Sequence, residues 1–308
     1  MSLADGNDAS ITGATGKQGG SVINNLLSLD ADFEILAVTR DAQSNGAQQL
    51  LKKSSKIKLV EGNLDHPEDI FRQAQKVTTQ HIWGVFSVQT PVPGLFKEDS
   101  EERQGKALVD AALNNNVKFF VYTYVDRGGD ASIDNPTPVP HFINKHNIEH
   151  HLINRSKGTD MQWVILRPVA FLNNFTPDFF GSVFTTSWKI ALRGKPLQLI
   201  SVTDIGFFGA QAFLHPDEYK NRALSLAGDE LSYDEMARVF KRVTGKDVPL
   251  TYGFLARLLM WAFKELGVMF RWFHDSGYKA DVPALRRLHP GLKNFASWLE
   301  TESGFLSK

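Results

Sequence analysis

The chain contains no cysteine, which excludes disulfides, thiolate nucleophiles and cysteine-ligated zinc, and leaves any redox role to a bound cofactor. It has no excess of either charge: 34 basic side chains face 34 acidic ones in 308 residues. There is therefore no chain-wide electrostatic footprint for DNA, RNA or an anionic membrane, and no direct nucleic-acid or membrane partner is expected. Unbroken apolar runs are missing too. The most apolar stretch, residues 254–273, is interrupted by Arg257, Lys264, Glu265 and Arg271 and cannot cross a bilayer cheaply. No long Pro, Ser or Gly tract and no internal repeat divides the chain. Residues 1–8 show no basic segment leading into an apolar one, so a secretory leader is not expected, and the location expected is cytoplasmic or nuclear.

What is present is an ordinary globular composition, 42% hydrophobic and 22% charged, enough for one large domain or two unequal ones. Short β-rich runs at 10–11, 33–38, 57–60, 82–88, 119–122 and 163–166 alternate with helical patterns. That alternation predicts an α/β, Rossmann-type fold, a doubly wound parallel sheet wrapped by helices. The expected division is a dinucleotide-binding domain over 1–168, with later segments returning to it, and a smaller α+β lobe over 169–308. The lobe is aromatic-rich, with a strand at 197–201 and helices near 232–244 and 254–273. It is expected to cover the cofactor crevice and shape a pocket for a partner or a planar substrate. The stripe Leu255, Leu258, Leu259, Ala262, Phe263 and Leu266 has helical spacing and reads as core or lid packing.

The most informative motif is Thr12-Gly13-Ala14-Thr15-Gly16-Lys17-Gln18-Gly19-Gly20, a G-x-x-G-x-x-G loop that opens a helical pattern. Gly13 permits a tight strand-to-helix turn, Gly16 lets backbone approach a pyrophosphate, and Gly19 lets the helix pack closely. Thr15, Lys17 and Gln18 then join the glycines as candidate cofactor-binding residues, their N–H groups and the helix dipole facing an anion. The second strand ends at Arg40, where an acidic residue would bind the ribose of NAD. Arginine suits the 2′-phosphate of NADP(H) instead. Asn63, Leu64 and Asp65 follow the third strand, with Asp65 a candidate for the adenine amino group or simply a helix N-cap. Val88 and Gln89, at the end of the fourth strand, lie on the expected cofactor path.

The glycine loop, Arg40, the segment Tyr122-Thr123-Tyr124-Val125-Asp126-Arg127-Gly128-Gly129, His141-Phe142-Ile143-Asn144-Lys145 and Leu166-Arg167-Pro168-Val169-Ala170-Phe171 together resemble the NmrA-like family, an atypical branch of the extended short-chain dehydrogenase/reductase superfamily. The likeness continues through Val202-Thr203-Asp204-Ile205-Gly206 and 226–231. It implies that Lys145 holds the nicotinamide ribose, that Pro168 and Phe171 border the nicotinamide, and that Asn173, Asn174 and Phe175 line the pocket, plain core and capping being the alternative for these. Active superfamily enzymes carry Tyr-x-x-x-Lys, and here the tyrosine position holds His141. The usual proton donor is missing, which leaves Thr123, His141 and Tyr124 as candidates to assist.

One decoy is His146-Asn147-Ile148-Glu149-His150, which matches a metalloprotease pattern. It falls beside Lys145 with no third ligand at a recognised spacing, so no metal is expected, and His146, Glu149, His150 and His151 read as a polar helix flank. The family divides between NADP-sensing regulators acting through a protein partner and reductases of quinones, phenolic compounds or similar carbonyl substrates. The missing tyrosine favours the redox-sensing regulator; the alternative is an NADPH-dependent reductase of a quinone, aromatic carbonyl or similar small molecule.

Overall fold

The computed structural model describes residues 7–89 and 100–306. In chain order the elements are β1 (Asn7–Ile11), α1 (Lys17–Ser28), β2 (Phe33–Thr39), α2 (Asn45–Leu51), β3 (Ile57–Glu61), α3 (Pro67–Ala74), β4 (Ile82–Ser87), α4 (Ser100–Asn114), β5 (Phe119–Thr123), α5 (Pro140–Ser156) and β6 (Gln162–Pro168). There follow β7 (Ala170–Phe171), α6 (Phe179–Leu192), β8 (Leu197–Ile200), α7 (Val202–Leu214), α8 (Pro216–Tyr219), β9 (Arg222–Leu226), β10 (Asp229–Leu231), α9 (Tyr233–Thr244), α10 (Gly253–Ala262), α11 (Lys264–Asp275), α12 (Val282–Leu288) and α13 (Phe295–Thr301). Contacts divide the chain into two compact units of three segments each. The first takes Met1–Tyr124, Asn144–Leu166 and Ile205–Leu224; the second takes Val125–Ile143, Arg167–Asp204 and Ser225–Lys308.

The seven-stranded sheet has the order β3-β2-β1-β4-β5-β6-β9, and the pairs from β3 through β6 are parallel. Strand order reverses between β1 and β4, the switch point of a doubly wound Rossmann sheet. The strands read as apolar runs because helices cover both faces, and every residue of β5 is buried. On one face Phe33 of β2, Trp83 of β4 and Phe119 of β5 stack, the first pair reaching across β1, with centroids 5.8 and 5.3 Å apart, under the ring of Phe213 from α7. Gly84 makes room for that ring: a β-carbon there would lie 2.8 Å from Phe213.

The second unit holds a three-stranded sheet, β10-β8-β7, with β10 antiparallel and β7 parallel to β8. Its core is aromatic, built around Phe175, Trp188, Phe295 and Trp298. Asp126 is buried, yet its carboxylate accepts from the backbone N–H of Gly128 (3.1 Å), Gly129 (2.9 Å) and Lys279 (2.9 Å) and from the Ser225 hydroxyl (2.5 Å). Four donors in place of water make that burial tolerable.

Two expectations need correction. The single helix expected over 254–273 is two helices, broken at Phe263 (φ −97°, ψ 85°), which caps both α10 and α11. Gly267 folds so closely on the Met260 carbonyl that a β-carbon would collide with it, so a sharp bend replaces a continuous helix. The apolar stripe is not core either: Leu258, Ala262 and Phe263 are exposed, and Ala256 is the one buried residue of α10.

β1 begins earlier than its apolar residues suggest, and it carries a fully buried Asp8 whose two oxygens have no hydrogen-bond partner among the described residues. Burial raises the pKa of this carboxyl above the usual 3.8; the nearby Thr78 hydroxyl pulls the other way, Glu34 adds to the rise and Lys58 opposes it. A raised folded-state pKa means that the contribution of Asp8 to stability is fully present below 3.8 and is lost as pH rises through the raised value. Asp8→Asn is therefore expected to raise Tm at pH 7 by a few degrees, the scale of roughly 1 kcal/mol, and to lose that advantage near pH 4. Melts at both pH values test this, and a lower Tm at pH 7 overturns it.

Candidate functional site

The glycine loop joins β1 to α1 at the carboxyl edge of the first unit's sheet. Gly13 takes φ +60°, a conformation that L side chains rarely adopt, and a β-carbon on it would lie 2.7 Å from the Val88 side chain. Gly16 closes the turn by donating to the Gly13 carbonyl at 2.8 Å. A β-carbon on Gly19 would sit 2.5 Å from the carbonyl oxygens of both Thr12 and Gly13. Gly16 offers no side-chain cap, and the first turn of α1 holds no acidic group, so its N–H groups are left to an anion. Thr12 secures the loop. Its hydroxyl donates to the Phe86 carbonyl (2.9 Å) and accepts from the Val88 N–H (3.0 Å), tying the ends of β1 and β4 together.

Arg40 is exposed at the end of β2. Asn63 and Asp65 hydrogen-bond each other, Leu64 lying between them half-buried. The Asp65 carboxylate also receives Gln104 (3.0 Å) and Arg103 (2.5 Å) of α4, and these bonds, Gln104 first, hold its pKa below the usual range. Asp65 is not the N-cap of α3; His66 takes that position. Val88 and Gln89 are both buried, and Gln89 donates its amide to Ser87 at 2.8 Å. The other amide atom, Oε1, is buried with no hydrogen-bond partner among the described residues. A buried acceptor left over beside the glycine loop fits a ligand that brings its own donor.

Thr123 ends β5, and its hydroxyl donates to Oε1 of Gln18 at 2.7 Å, joining that strand end to the first turn of α1. Tyr124 is buried against Tyr122, with centroids 5.6 Å apart. Lys145 is no surface lysine. Its ammonium pairs with Glu101 of α4, and the side chains are only 15% and 6% exposed. α4 and α5 approach closely because Gly105 lacks a β-carbon, which would lie 2.5 Å from Ile148. The polar-flank reading fails for Glu149, which is fully buried. His151 bonds Asp110 at 3.0 Å, and the rings of His146 and His150 meet at 4.3 Å, tilted by 49°. Among the described residues no group of three His, Asp or Glu side chains could hold a metal ion.

In the second unit, His141 places Nδ1 2.5 Å from Oε1 of Glu265 in the first turn of α11. The hydrogen bond with His141 is the main cause holding the Glu265 carboxyl below its usual range. The imidazole edge meets the Phe142 ring at 4.6 Å, and that ring meets Trp272 at 5.3 Å. Pro168 is buried at the end of β6, its carbonyl accepting from the Asp126 N–H, and Phe171 is half-buried in β7. Asn173 is committed to the start of α7, accepting from the Val202 N–H at 3.3 Å, while Asn174 is exposed. Phe175 is buried among Phe184, Trp188 and Phe295, as the core alternative for it has it, because a ring packs better there than against water. Sequence reasoning missed Glu101 and Glu265, which lie 44 and 124 residues from their partners. It also passed over Thr12, which adjoins the loop and was legible there.

A cavity of about 510 Å³ lined by Thr78, Gln80, His81, Asn114 and Asn116 among others borders the amino end of β4, the edge opposite the glycine loop.

The NmrA-like family model matches residues 8–299. An NmrA-like family domain-containing oxidoreductase, ptmS of Penicillium ochrochloron, is 28% identical over 260 residues, covering 77% of this chain and 72% of that one. Among solved structures, the Citrobacter triphenylmethane reductase complexed with NADP(H) aligns with TM-score 0.73 at 18% identity over 95% of this chain and 98% of that one. The Escherichia coli NADPH-dependent quinone oxidoreductase complexed with NADPH aligns at 0.71 and 17%, over 95% and 98%. NmrA, a negative transcriptional regulator, in complex with NAD aligns at 0.66 and 16%, over 96% and 95%. These likenesses agree with the sheet order in assigning the fold.

The Lys145–Glu101 pair gives a stability test. Lys145→Met leaves a buried carboxylate without its cation and is expected to cost about 3–5 kcal/mol. The double variant Lys145→Met/Glu101→Gln should recover most of that loss in denaturant melts. A single variant as stable as the parent would show that water already screens the pair.

Proposed function

The chain belongs to the NmrA-like family, whose curated relatives include oxidoreductases, and from that premise we propose that it is an NADP(H)-dependent reductase of a small aromatic or quinone-like carbonyl compound. The observation that carries this reading is the His141–Glu265 hydrogen bond. His141 stands four residues before Lys145 on α5, where the superfamily pattern has its tyrosine. A carboxylate on Nδ1 selects one tautomer and one ring orientation and leaves Nε2 to exchange a proton with substrate. The substrate class is supported by the reductases of similar fold, which are named for triphenylmethane and quinone substrates.

The described residues fit the cofactor. β-carbons on Gly13, Gly16 and Gly19 would run into Val88 or the loop's own carbonyls, so only glycine allows this tight turn into α1, and Gln89 Oε1 needs a donor. In this reading NADPH, when bound, supplies hydride. Thr15, Lys17, Gln18 and the loop N–H groups hold the pyrophosphate, Arg40 the 2′-phosphate, Asn63, Leu64 and Asp65 the adenine end, and Val88 and Gln89 the path between. Lys145 holds the nicotinamide ribose, with Glu101 as the positioning residue that sets its ammonium. Pro168 and Phe171 border the nicotinamide, Thr123 and Tyr124 assist at the substrate oxygen, and Asn173 and Asn174 contribute to the pocket. The chain acts in the cytoplasm or nucleus.

A regulatory reading, in which bound NADP(H) changes contacts with a protein partner, is favoured by the missing tyrosine and by the likeness to NmrA. The deciding experiment follows NADPH oxidation optically across quinones and aromatic aldehydes and ketones, with calorimetry on the same sample. Substrate-dependent oxidation supports the reductase; NADPH binding without turnover on any of them sinks it in favour of the regulator.

Arg40→Ala is expected to weaken NADPH by about 1–3 kcal/mol, the scale of a lost charge-assisted bond, and to leave NADH nearly unchanged; equal losses would remove Arg40 as the selector. Glu265→Gln is expected to lower kcat at least tenfold and to shift the basic limb of its pH profile, where the proton donor is lost, with KM and NADPH affinity unchanged. An unaltered kcat and profile would show that the pair only braces α5.

A further inference from the structure

Helix α10 is built inside out. Eight of the ten residues in Gly253-Phe254-Leu255-Ala256-Arg257-Leu258-Leu259-Met260-Trp261-Ala262 are apolar, yet Ala256 is the one buried. Phe254, Leu258 and Trp261 recur at spacings of four and three, so they share one helical face, and that face is turned to solvent at 68%, 51% and 78% exposure. Tyr252 (73%) stacks on Phe254 at 5.8 Å, and Phe263 (62%) extends the patch at the bend into α11. Four aromatic side chains exposed to this degree present roughly 400–800 Å² of surface, as large as or larger than the biggest apolar patch of an ordinary monomer.

The charge around the patch selects its occupant. From Val248 to Lys264 the chain carries Arg257 and Lys264 and no acidic side chain; the flanking Asp247 and Glu265 are already engaged by Lys241 and His141. Both cations are exposed, and Arg257 flanks the apolar face at its edge beside Trp261. Packing this face on a second copy about a two-fold axis would bury like charges together, with no carboxylate from the segment to answer them. A bilayer with anionic headgroups answers both features. Aromatic rings settle at the headgroup level, Leu258 enters the acyl boundary, and the Arg and Lys stems lie along the interface with their charges on lipid phosphate. No helix among the described residues is long and apolar enough to cross a membrane, so α10 lies on the surface.

We propose that the exposed face of α10, with Tyr252 and Phe263, is a docking surface for anionic membranes. The neutrality of the whole chain conceals this local excess of two cations. The inference does not depend on the reductase reading, because it concerns a helix to which no catalytic or cofactor role has been given.

The test is co-sedimentation of the full chain with vesicles of phosphatidylcholine alone and of phosphatidylcholine mixed with phosphatidylserine. Sedimentation is expected with the mixed vesicles, falling with added salt, and to be far weaker with the neutral ones. Arg257→Gln should lower partitioning about fivefold, and Phe254→Ala/Trp261→Ala at least tenfold. These side chains are exposed, so thermal melts should match the parent and separate lost docking from lost folding. A folded chain that stays in the supernatant with mixed vesicles overturns the proposal. So does sedimentation unaffected by Phe254→Ala/Trp261→Ala. A self-association abolished by those substitutions, without vesicle binding, assigns the face to a second copy instead.

Discussion

Everything in the first unit that could serve a nucleotide depends on how closely α1 is held. On its strand side the helix rests on the carbonyls of Thr12 and Gly13, at a separation that only Gly19 permits. From the other side α7 presses on it: a β-carbon on Gly206 would overlap the backbone of Ser21, and one on Gly209 would lie 2.8 Å from Val22. Three glycines, two of them almost 200 residues after the loop, therefore set the height of one helix. Helical glycine costs about 1 kcal/mol relative to alanine, and α7 accepts that cost twice. What it obtains is a helix start placed low over the sheet edge, with its N–H groups directed outward and Thr12 preventing the loop from lifting.

Buried charge is managed in three ways, and the differences are instructive. Asp126 is surrounded by donors and organises its loop as a carboxylate should. Glu101 is paired with Lys145, so removing either partner would strand the other. Asp8 has neither arrangement and shifts its pKa instead. The first two lie in the stretches that carry the family resemblance or pair with them. Asp8 lies on a strand whose neighbours would be as well served by a neutral side chain, and the structure gives it no partner that would justify the charge.

The fold was legible because its signals are local. Six apolar runs and the glycine loop place six strands and the first helix to within a few residues, and the glycine triplet states its own geometry. The site was legible only where one residue suffices. Arg40 and Lys145 are candidates that single positions in the sequence suggest. That Lys145 is buried on Glu101, or His141 bonded to Glu265, depends on helices brought together from distant sequence, and no spacing rule encodes it. Phe175 shows a related limit: in sequence an aromatic residue after a strand end looks the same whether it faces a ligand or three other rings. The bend at Phe263 escaped because helical periodicity continues through it, and the glycine that makes the bend possible, Gly267, lies four residues beyond.

The pairing of His141 with Glu265 changes what the absent tyrosine means. A phenol in that pattern must have its acidity raised by a neighbouring lysine, so phenol and lysine act together. An imidazole carries its own ring nitrogens as donor and acceptor; what it lacks is a fixed orientation, and a carboxylate supplies one. The lysine is then released from the task of tuning an acid. Its burial on Glu101 is consistent with that release, since an ammonium already neutralised by a carboxylate shifts a neighbour's pKa far less than a bare one. It can still donate to ribose hydroxyls, because an ammonium carries three donors. The two departures from the superfamily pattern, histidine in place of tyrosine and a lysine paired with glutamate, are in this reading one coherent change: an imidazole held by a carboxylate stands where the phenol would, and the charged neighbours are left to hold geometry.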